Sequence, residues 1–170
     1  MSMLVVFRGL PGTGKSHLVS ALVQEKPEFL VLSRDTLRAS IFPHPTFGQE
    51  EKNLVDDVIV DVTEFLLARQ RDVVIDGMAL SSARRVEQFA RAAESRGAQF
   101  RLIQCVCAEK TALDRIARDR DAHPAGDRGE KLYLETSERF EPVPYPFLTV
   151  DTDENTAFSL ALILGYLSPV

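Results

Sequence analysis

The chain has 170 residues, a length typical of one domain, and 45% of them are hydrophobic, which is enough for a buried core. Its net charge of −5 argues against a broad basic surface for nucleic acid, although not against a small local site. The two cysteines are two residues apart in a predicted strand, too close for an ordinary disulfide, so a reduced, cytoplasmic protein is expected. No signal peptide is expected, and the most apolar stretch, 157–167, is too short to span a membrane.

The first 24 residues predict a strand, a glycine-rich loop and a helix in that order. Residues 3–7 form a short apolar run typical of a buried strand, and the apolar periodicity of residues 16–24 predicts a helix. Between them, residues 9–16 read GLPGTGKS and match the phosphate-loop pattern GxxxxGK followed by Ser or Thr at every fixed position. In this context the motif binds nucleotide phosphates. A glycine turn that binds nothing is the alternative.

Each fixed position of this loop has a chemical role. The glycines let successive backbone N–H groups point at an anion, and the helix dipole faces the same point. Lys15 is expected to be catalytic through its charge on the β- and γ-phosphates, and the hydroxyl of Ser16 is expected to bind Mg²⁺. ATP and Mg²⁺ are therefore the expected cofactors. The residues expected to bind them are Gly12, Thr13, Gly14, Lys15, Ser16 and His17.

The rest of the chain alternates strand and helix patterns. Further strands are predicted at residues 29–33, 72–76, 100–106 and 147–150. Further helices are predicted at residues 35–41, 50–70, 82–96, 109–120, 129–138 and 155–167. This order predicts an α/β fold with a central, mostly parallel five-stranded sheet between helices. Ligands of such sheets bind at the carboxyl ends of the strands, so residues that follow strands are the candidates for chemistry.

The segment after the second strand reads SRDTLR. Asp35 and Arg38 are three residues apart at the start of a helix and therefore share a face. A carboxylate at this place can accept the proton of an attacking hydroxyl, and the guanidinium fork of Arg38 can hold an anionic acceptor. The alternative is structural: Ser33 or Asp35 caps the helix, and Arg38 is a solvated neighbour.

The segment after the third strand offers three further candidates. The apolar strand ends in Asp76, which suits a carboxylate in the outer shell of Mg²⁺ or a substrate contact, although a turn aspartate before Gly77 is equally compatible. Arg84 and Arg85 open the next helix, where a cation is slightly unfavourable, so a ligand role is expected for one of them. Solvated surface arginines are the alternative.

Several arginines follow the fourth strand, around a polar segment that contains Pro124, Gly126 and Gly129. This composition predicts a mobile lid at about 115–130, with residues 118–129 as its mobile part. Arg118 or Arg120 is expected to neutralise charge on the transferred phosphoryl group. A charged, solvated helix face is the alternative. The four arginines are Arg115, Arg118, Arg120 and Arg128.

Together these motifs resemble the kinase domain of phage-type polynucleotide 5′-hydroxyl kinases and the wider group of small P-loop kinases that includes zeta toxins and gluconate kinase. The similarity extends from about residue 3 to residue 140. It implies a three-layer P-loop NTPase fold with a helical lid, in which Asp35 is the general base and Arg38 contacts a phosphate of the acceptor. Related chains usually carry Thr or Asn where this chain has Met78 and Ala79, so the acceptor contacts differ there.

We therefore expect one P-loop kinase domain over residues 1–170, which moves the γ-phosphoryl group of ATP to a hydroxyl acceptor. The 5′-OH of a polynucleotide or nucleotide is the expected acceptor. Two alternatives stay open: a kinase for a small metabolite such as a sugar, sugar acid or antibiotic, and a regulatory module that hydrolyses ATP slowly. No membrane partner is expected, and the sequence leaves the oligomeric state open.

Overall fold

The computed structural model describes residues 1–119 and 129–168. The strands are β1 (Met3–Arg8), β2 (Leu30–Ser33), β3 (Val73–Asp76), β4 (Gln99–Val106) and β5 (Phe147–Asp151). The helices are α1 (Lys15–Glu25), α2 (Arg34–Ile41), α3 (Gln49–Leu67), α4 (Ala83–Ser95), α5 (Glu109–Asp119), α6 (Glu130–Glu138) and α7 (Thr156–Leu167). No described helix is both long and apolar enough to cross a membrane.

The five strands form one sheet in the order β2-β3-β1-β4-β5, and every neighbouring pair is parallel. The predicted parallel α/β fold is therefore confirmed. Because the strands are parallel, their carboxyl ends meet at one edge, where the loops after β1, β2 and β3 lie side by side. This edge carries the phosphate loop, the start of α2 and the start of α4.

Alternate side chains of β1 point to opposite faces of the sheet and enter two separate cores. Leu4 and Val6 pack with α3 and α4, whereas Val5 and Phe7 pack with α1 and α7. All four are fully buried, because β1 is the central strand and both of its faces are covered by helices. The result is a three-layer molecule, helices on a sheet on helices.

One predicted boundary is wrong by three residues. The helix predicted to reach residue 70 ends at Leu67, and the chain turns through Gln70, whose φ is 56°. The amide of Gln70 donates to the carbonyl of Leu67, and the amide of Arg71 donates to that of Leu66. This turn uses no glycine or proline that the sequence pattern could have signalled, and it lets β3 begin at Val73 beside β1.

The expected lid is described only at its two ends. Residues 115–119 are the last turns of α5, and Ala112 and Ile116 of this helix pack against Tyr133 of α6. Arg115 is fixed to the body of the protein by hydrogen bonds to Thr152. Residues 120–128, which include Arg120 and Arg128, lie outside the described residues, so a lid in that segment stays a prediction.

Candidate functional site

The phosphate loop turns tightly between β1 and α1 and packs against α5. Gly12 has a φ of 78°, and a Cβ atom there would overlap the carbonyl oxygen of Ala112. A side chain at this position is therefore excluded both by the backbone conformation and by the neighbouring helix. The hydroxyl of Thr13 donates to the carbonyl of Leu10 at 2.7 Å and closes the loop from within.

Lys15 lies at the centre of this edge of the sheet. Its side chain is buried, with 6% of the residue exposed, and Nζ donates to the carbonyls of Gly9 and Leu10, each at 2.8 Å. Two cavities meet here, and among the described residues Lys15 alone lines both. We call them the α5–α7 cavity and the α2–α4 cavity after the helices that form their walls.

Ser16 and Asp76 form a pair beside Lys15. The hydroxyl of Ser16 donates to Oδ1 of Asp76 at 2.9 Å, across the gap between α1 and the end of β3. This contact places Asp76 next to the phosphate loop, and Asp76 is not among the residues that line the α2–α4 cavity. One hydroxyl and one carboxylate are oxygen donors that suit Mg²⁺, which keeps most of its other ligands as water and phosphate oxygens. The described part of the chain contains no cluster of three or more His, Cys, Asp or Glu residues suited to a metal.

The α5–α7 cavity has a volume of about 710 Å³ and opens beside the phosphate loop. Its walls come from the phosphate loop, α5 and the segment between β5 and α7. His17 was expected to contact the nucleotide, and it lies on the wall of this cavity. Its ring shares a 2.9 Å hydrogen bond with the hydroxyl of Thr156, which connects the starts of α1 and α7. Arg115 donates to both the hydroxyl and the carbonyl of Thr152 and fixes the opposite wall. Arg118 also lines the cavity, with a largely exposed side chain and a 3.8 Å ion pair to Asp119.

Residues 152–156 also line this cavity, although they were not among the candidates expected from the sequence. Asp153 is held there by the amide of Ala108, which donates to its carboxylate at 2.8 Å, and this hydrogen bond lowers the pKa of Asp153 although desolvation opposes it. Their position could have indicated this role, because they follow the carboxyl end of a predicted strand, where residues of such sheets bind ligands.

The α2–α4 cavity lies on the other side of Lys15 and has a volume of about 540 Å³. Its walls are built by α2, α3, α4, α6 and the segment 77–82 between β3 and α4. The described lining contains seven cationic and three anionic side chains, a positive excess in a chain whose net charge is −5. None of these lining residues is aromatic, and none is a histidine. The charged lining residues are Lys15, Arg34, Arg38, Lys52, Arg84, Arg85, Arg139, Asp35, Asp56 and Asp57.

Asp35 and Arg38 are brought together on this wall, as their spacing predicts. Ser33 caps α2 by accepting the amide of Thr36, so Asp35 does not serve as the cap. Arg38 is 4% exposed, which excludes a solvated surface role. Its Nη1 lies 3.5 Å from Oδ1 of Asp35, and its Nε lies 2.9 Å from Oε1 of Glu51. Nη2 of Arg38 is buried and has no hydrogen-bond partner among the described residues.

Glu51, which the sequence analysis missed, holds Arg38 from behind. Its Oε2 accepts the amide of Thr46 at 2.7 Å and the hydroxyl of Thr46 at 3.1 Å. Desolvation acts to raise the pKa of Glu51, but the Thr46 hydrogen bonds and the charge of Arg38 outweigh it, so the net pKa is lowered. The ring of Phe47, in a left-handed backbone conformation with φ of 57°, lies 5.2 Å from the Arg38 guanidinium.

A second ion-pair network forms the wall beside α4. Nε of Arg34 lies 2.8 Å from Oδ1 of Asp56, and Nη2 of Arg85 lies 3.5 Å from Oδ2 of the same carboxylate. Burial lowers the pKa of Arg34 and raises that of Asp56, and in each case the partner's charge opposes the effect. Asp56 belongs to the polar face of α3, whose residues recur at helical spacing and line the cavity. The residues of that face are Gln49, Lys52, Asn53 and Asp56.

The structure separates the two arginines that open α4. Arg85 is engaged with Asp56 and with Asp57, at 3.2 Å from the latter. Arg84 is exposed, lines the α2–α4 cavity, and makes no hydrogen bond or ion pair with any residue that the structure describes. Met78, at the position where the resemblance implied a departure, is 2% exposed, packs in the core and also lines the α2–α4 cavity.

A parallel sheet with a phosphate loop after its central strand, covered by helices on both faces, defines a P-loop NTPase fold. The chain belongs to the AAA_33 family, described as an AAA domain, whose profile matches residues 4–142. No curated protein matches the sequence.

Solved structures, two of them kinases, share the fold over almost the whole chain. The APS kinase of Mycobacterium tuberculosis, in complex with AMPPNP and APS, is 18% identical with a TM-score of 0.72, and the match covers 98% of this chain and 97% of that one. Kti12 of Chaetomium thermophilum, in complex with ADP-AlF3, is 16% identical with a TM-score of 0.73 and coverages of 98% and 100%. A gluconokinase of Sinorhizobium meliloti is 16% identical with a TM-score of 0.70 and coverages of 98% and 91%. At these identities the likeness concerns the fold.

Proposed function

We propose that this chain is an ATP-dependent phosphotransferase that moves the γ-phosphoryl group of ATP to a hydroxyl of an acceptor bound in the α2–α4 cavity. The observation that carries the proposal is the position of Lys15 on the walls of both cavities, with Asp35 on the acceptor side. A triphosphate that lies in the α5–α7 cavity along the phosphate loop brings its last phosphate to the point where the cavities meet. A regulatory ATPase would need no second polar cavity there.

In this proposal the residues divide the reaction between them. The bond from the γ-phosphorus to the β,γ-bridging oxygen breaks, its electron pair leaves with ADP, and a bond to the acceptor oxygen forms. Asp35 takes the proton of the acceptor hydroxyl, and Lys15 stabilises charge on the β- and γ-phosphates. Ser16 and Asp76 would hold Mg²⁺, which supplies charge neutralisation between the β- and γ-phosphates when bound. Arg118 or Arg120 from the expected lid completes the set as catalytic arginines.

Two acceptors are proposed. The first is the 5′-OH of a nucleotide or polynucleotide, which rests on the resemblance to polynucleotide kinases and on Asp35 and Arg38. The second is a small metabolite such as a sugar or sugar acid. The lining of the α2–α4 cavity favours the second, because proteins that bind unpaired bases commonly stack them on aromatic side chains, and none of the described lining residues provides such a ring.

The test is transfer of label from [γ-³²P]ATP in the presence of Mg²⁺. The acceptors are a 5′-hydroxyl oligonucleotide, 3′-nucleoside monophosphates, sugars, sugar acids and sugar phosphates, each with wild-type protein and with Lys15→Ala. Label on one class of acceptor, lost in Lys15→Ala, supports the proposal and identifies the acceptor. Release of inorganic phosphate alone with every acceptor would support the regulatory ATPase instead.

A further inference from the structure

We propose that the acceptor carries a negatively charged group separate from its reacting hydroxyl, and that Arg84 is the residue that selects for it. This inference rests on the proposed function, because it assigns the α2–α4 cavity to the acceptor. The charged group of the acceptor would be a carboxylate, a phosphate or a sulfate ester. It assigns different roles to the two adjacent arginines, Arg84 and Arg85, that open α4.

The cations of the α2–α4 cavity differ in whether a protein group neutralises or accepts from them. Arg34, Arg38 and Arg85 are each paired with a carboxylate of the protein at 3.5 Å or less. Lys15 donates to loop carbonyls, and Arg139 donates to the carbonyl of Glu135. Lys52 also has a partner. Within residues 1–119 and 129–168, Arg84 is thus the one cation of this cavity whose charge no protein group answers.

Arg84 lies at an unfavourable place on its helix. It is the second residue of α4, where the partial positive charge of the helix end disfavours a cation. That end already has its own anion, because the amide of Ala83 donates to the carboxylate of Glu141 at 2.7 Å. The helix therefore gains nothing from the arginine, whereas a ligand in the cavity would gain a guanidinium fork suited to planar anions.

Arg38 offers this cavity an unused hydrogen-bond donor. This residue is 4% exposed, lines the same cavity, and keeps its buried Nη2 without a partner among the described residues. A buried donor is costly to leave unpaired, so the cavity is built to receive an acceptor of hydrogen bonds. Arg38 shares its charge with Asp35 and Glu51, so its free donor suits any oxygen atom of the acceptor. Arg84, whose charge no described protein group answers, instead suits an anionic group of the acceptor.

Binding of inorganic sulfate tests the inference without knowledge of the acceptor. The protein is first saturated with AMPPNP and Mg²⁺, so that the phosphate loop is filled, and sulfate is then titrated by calorimetry at constant ionic strength. We expect Arg84→Gln to weaken sulfate binding roughly 10- to 100-fold, the value of a charge-assisted hydrogen bond, and Arg84→Lys to weaken it less. Arg91→Gln is the matched control, because Arg91 is an exposed arginine of the same helix, paired with Glu87 and outside the cavity.

A second experiment uses the acceptor that transfer from labelled ATP identifies. The ratio of kcat/KM for the charged acceptor to kcat/KM for its neutral analogue should fall roughly 10- to 100-fold in Arg84→Gln, mainly through KM, and stay unchanged in Arg91→Gln. Arg85→Gln should lower kcat/KM for the charged acceptor and for the neutral analogue alike, because it disturbs the wall of the α2–α4 cavity. Sulfate binding that is absent from the wild type, or equal in wild type and Arg84→Gln, overturns the inference. Arg84-dependent sulfate binding without transfer to any acceptor refutes the proposed function alone.

Discussion

Asp56 and Asp57 are adjacent on α3, but they differ in burial and in the ion pairs that they form. Asp56 bridges Arg34 and Arg85 in the wall of the α2–α4 cavity, and its side chain is 11% exposed. Asp57 pairs only with Arg85 among the described residues, and its side chain is 68% exposed. Both can be replaced by alanine with the same loss of atoms and charge, so the pair separates the effect of burial from the effect of charge.

Asp56→Ala leaves the guanidinium of Arg34, whose side chain is 18% exposed, without its carboxylate. The loss of one partner from a buried ion pair costs about 3 kcal/mol or more in the free energy of unfolding. For a domain of this length, that corresponds to a fall in Tm of roughly 10 °C. Asp57→Ala removes an exposed pair and should cost about 0–1 kcal/mol.

The assay is urea denaturation followed by circular dichroism, with the unfolding midpoint and m-value fitted for wild type and both variants. The expected result is a lower midpoint in Asp56→Ala at an unchanged m-value, and a midpoint near that of the wild type in Asp57→Ala. Equal midpoints in the two variants would refute the assignment of Asp56 as the carboxylate that holds this wall.

Two further predictions follow from the titration of buried groups. The pKa of Glu51 is lowered in the folded chain, so the unfolded chain binds more protons, and the free energy of unfolding falls as the pH drops below the ordinary glutamate pKa of about 4.3. Glu51→Gln should make this fall less steep in acid denaturation curves. An unchanged slope would contradict the prediction. Burial raises the pKa of the Cys105 thiol to about 12, whereas Cys107 is partly exposed. Iodoacetamide at pH 8 should therefore modify Cys107 before Cys105, as measured by peptide mapping. Modification of Cys105 first would contradict its place in the core.

The fold could be predicted because its signals are local. The phosphate loop has a fixed spacing, and the strands are apolar runs whose length and flanks separate them from helices. The carboxyl-end rule then placed Ser16, Asp35 and Asp76 at one edge of the sheet, where they are found. The end of α3 was missed because the chain turns at Gln70 in a left-handed conformation, without a glycine or proline to signal the turn.

The wall of the α2–α4 cavity could not be predicted in the same way. Glu51 and Asp56 come from α3, which is separated in sequence from the residues they pair with, and nothing local in a charged helix face distinguishes a buried carboxylate from a solvated one. The same limit applied to Arg84 and Arg85, which are equivalent in the sequence. Only the position of Asp56 beside one of them determines which arginine is engaged and which is offered to the cavity.

The central claim is that Asp35 takes a proton from an acceptor hydroxyl during phosphoryl transfer from ATP. The most direct test compares wild type with Asp35→Asn, which keeps the size of the side chain but removes the proton acceptor, and measures both transfer of ³²P to the acceptor and the Kd of ATP. The account predicts a kcat about 10² to 10⁴ lower with a nearly unchanged Kd, because the carboxylate lies on the wall of the α2–α4 cavity and not on that of the α5–α7 cavity. Transfer by Asp35→Asn at the wild-type rate would contradict it.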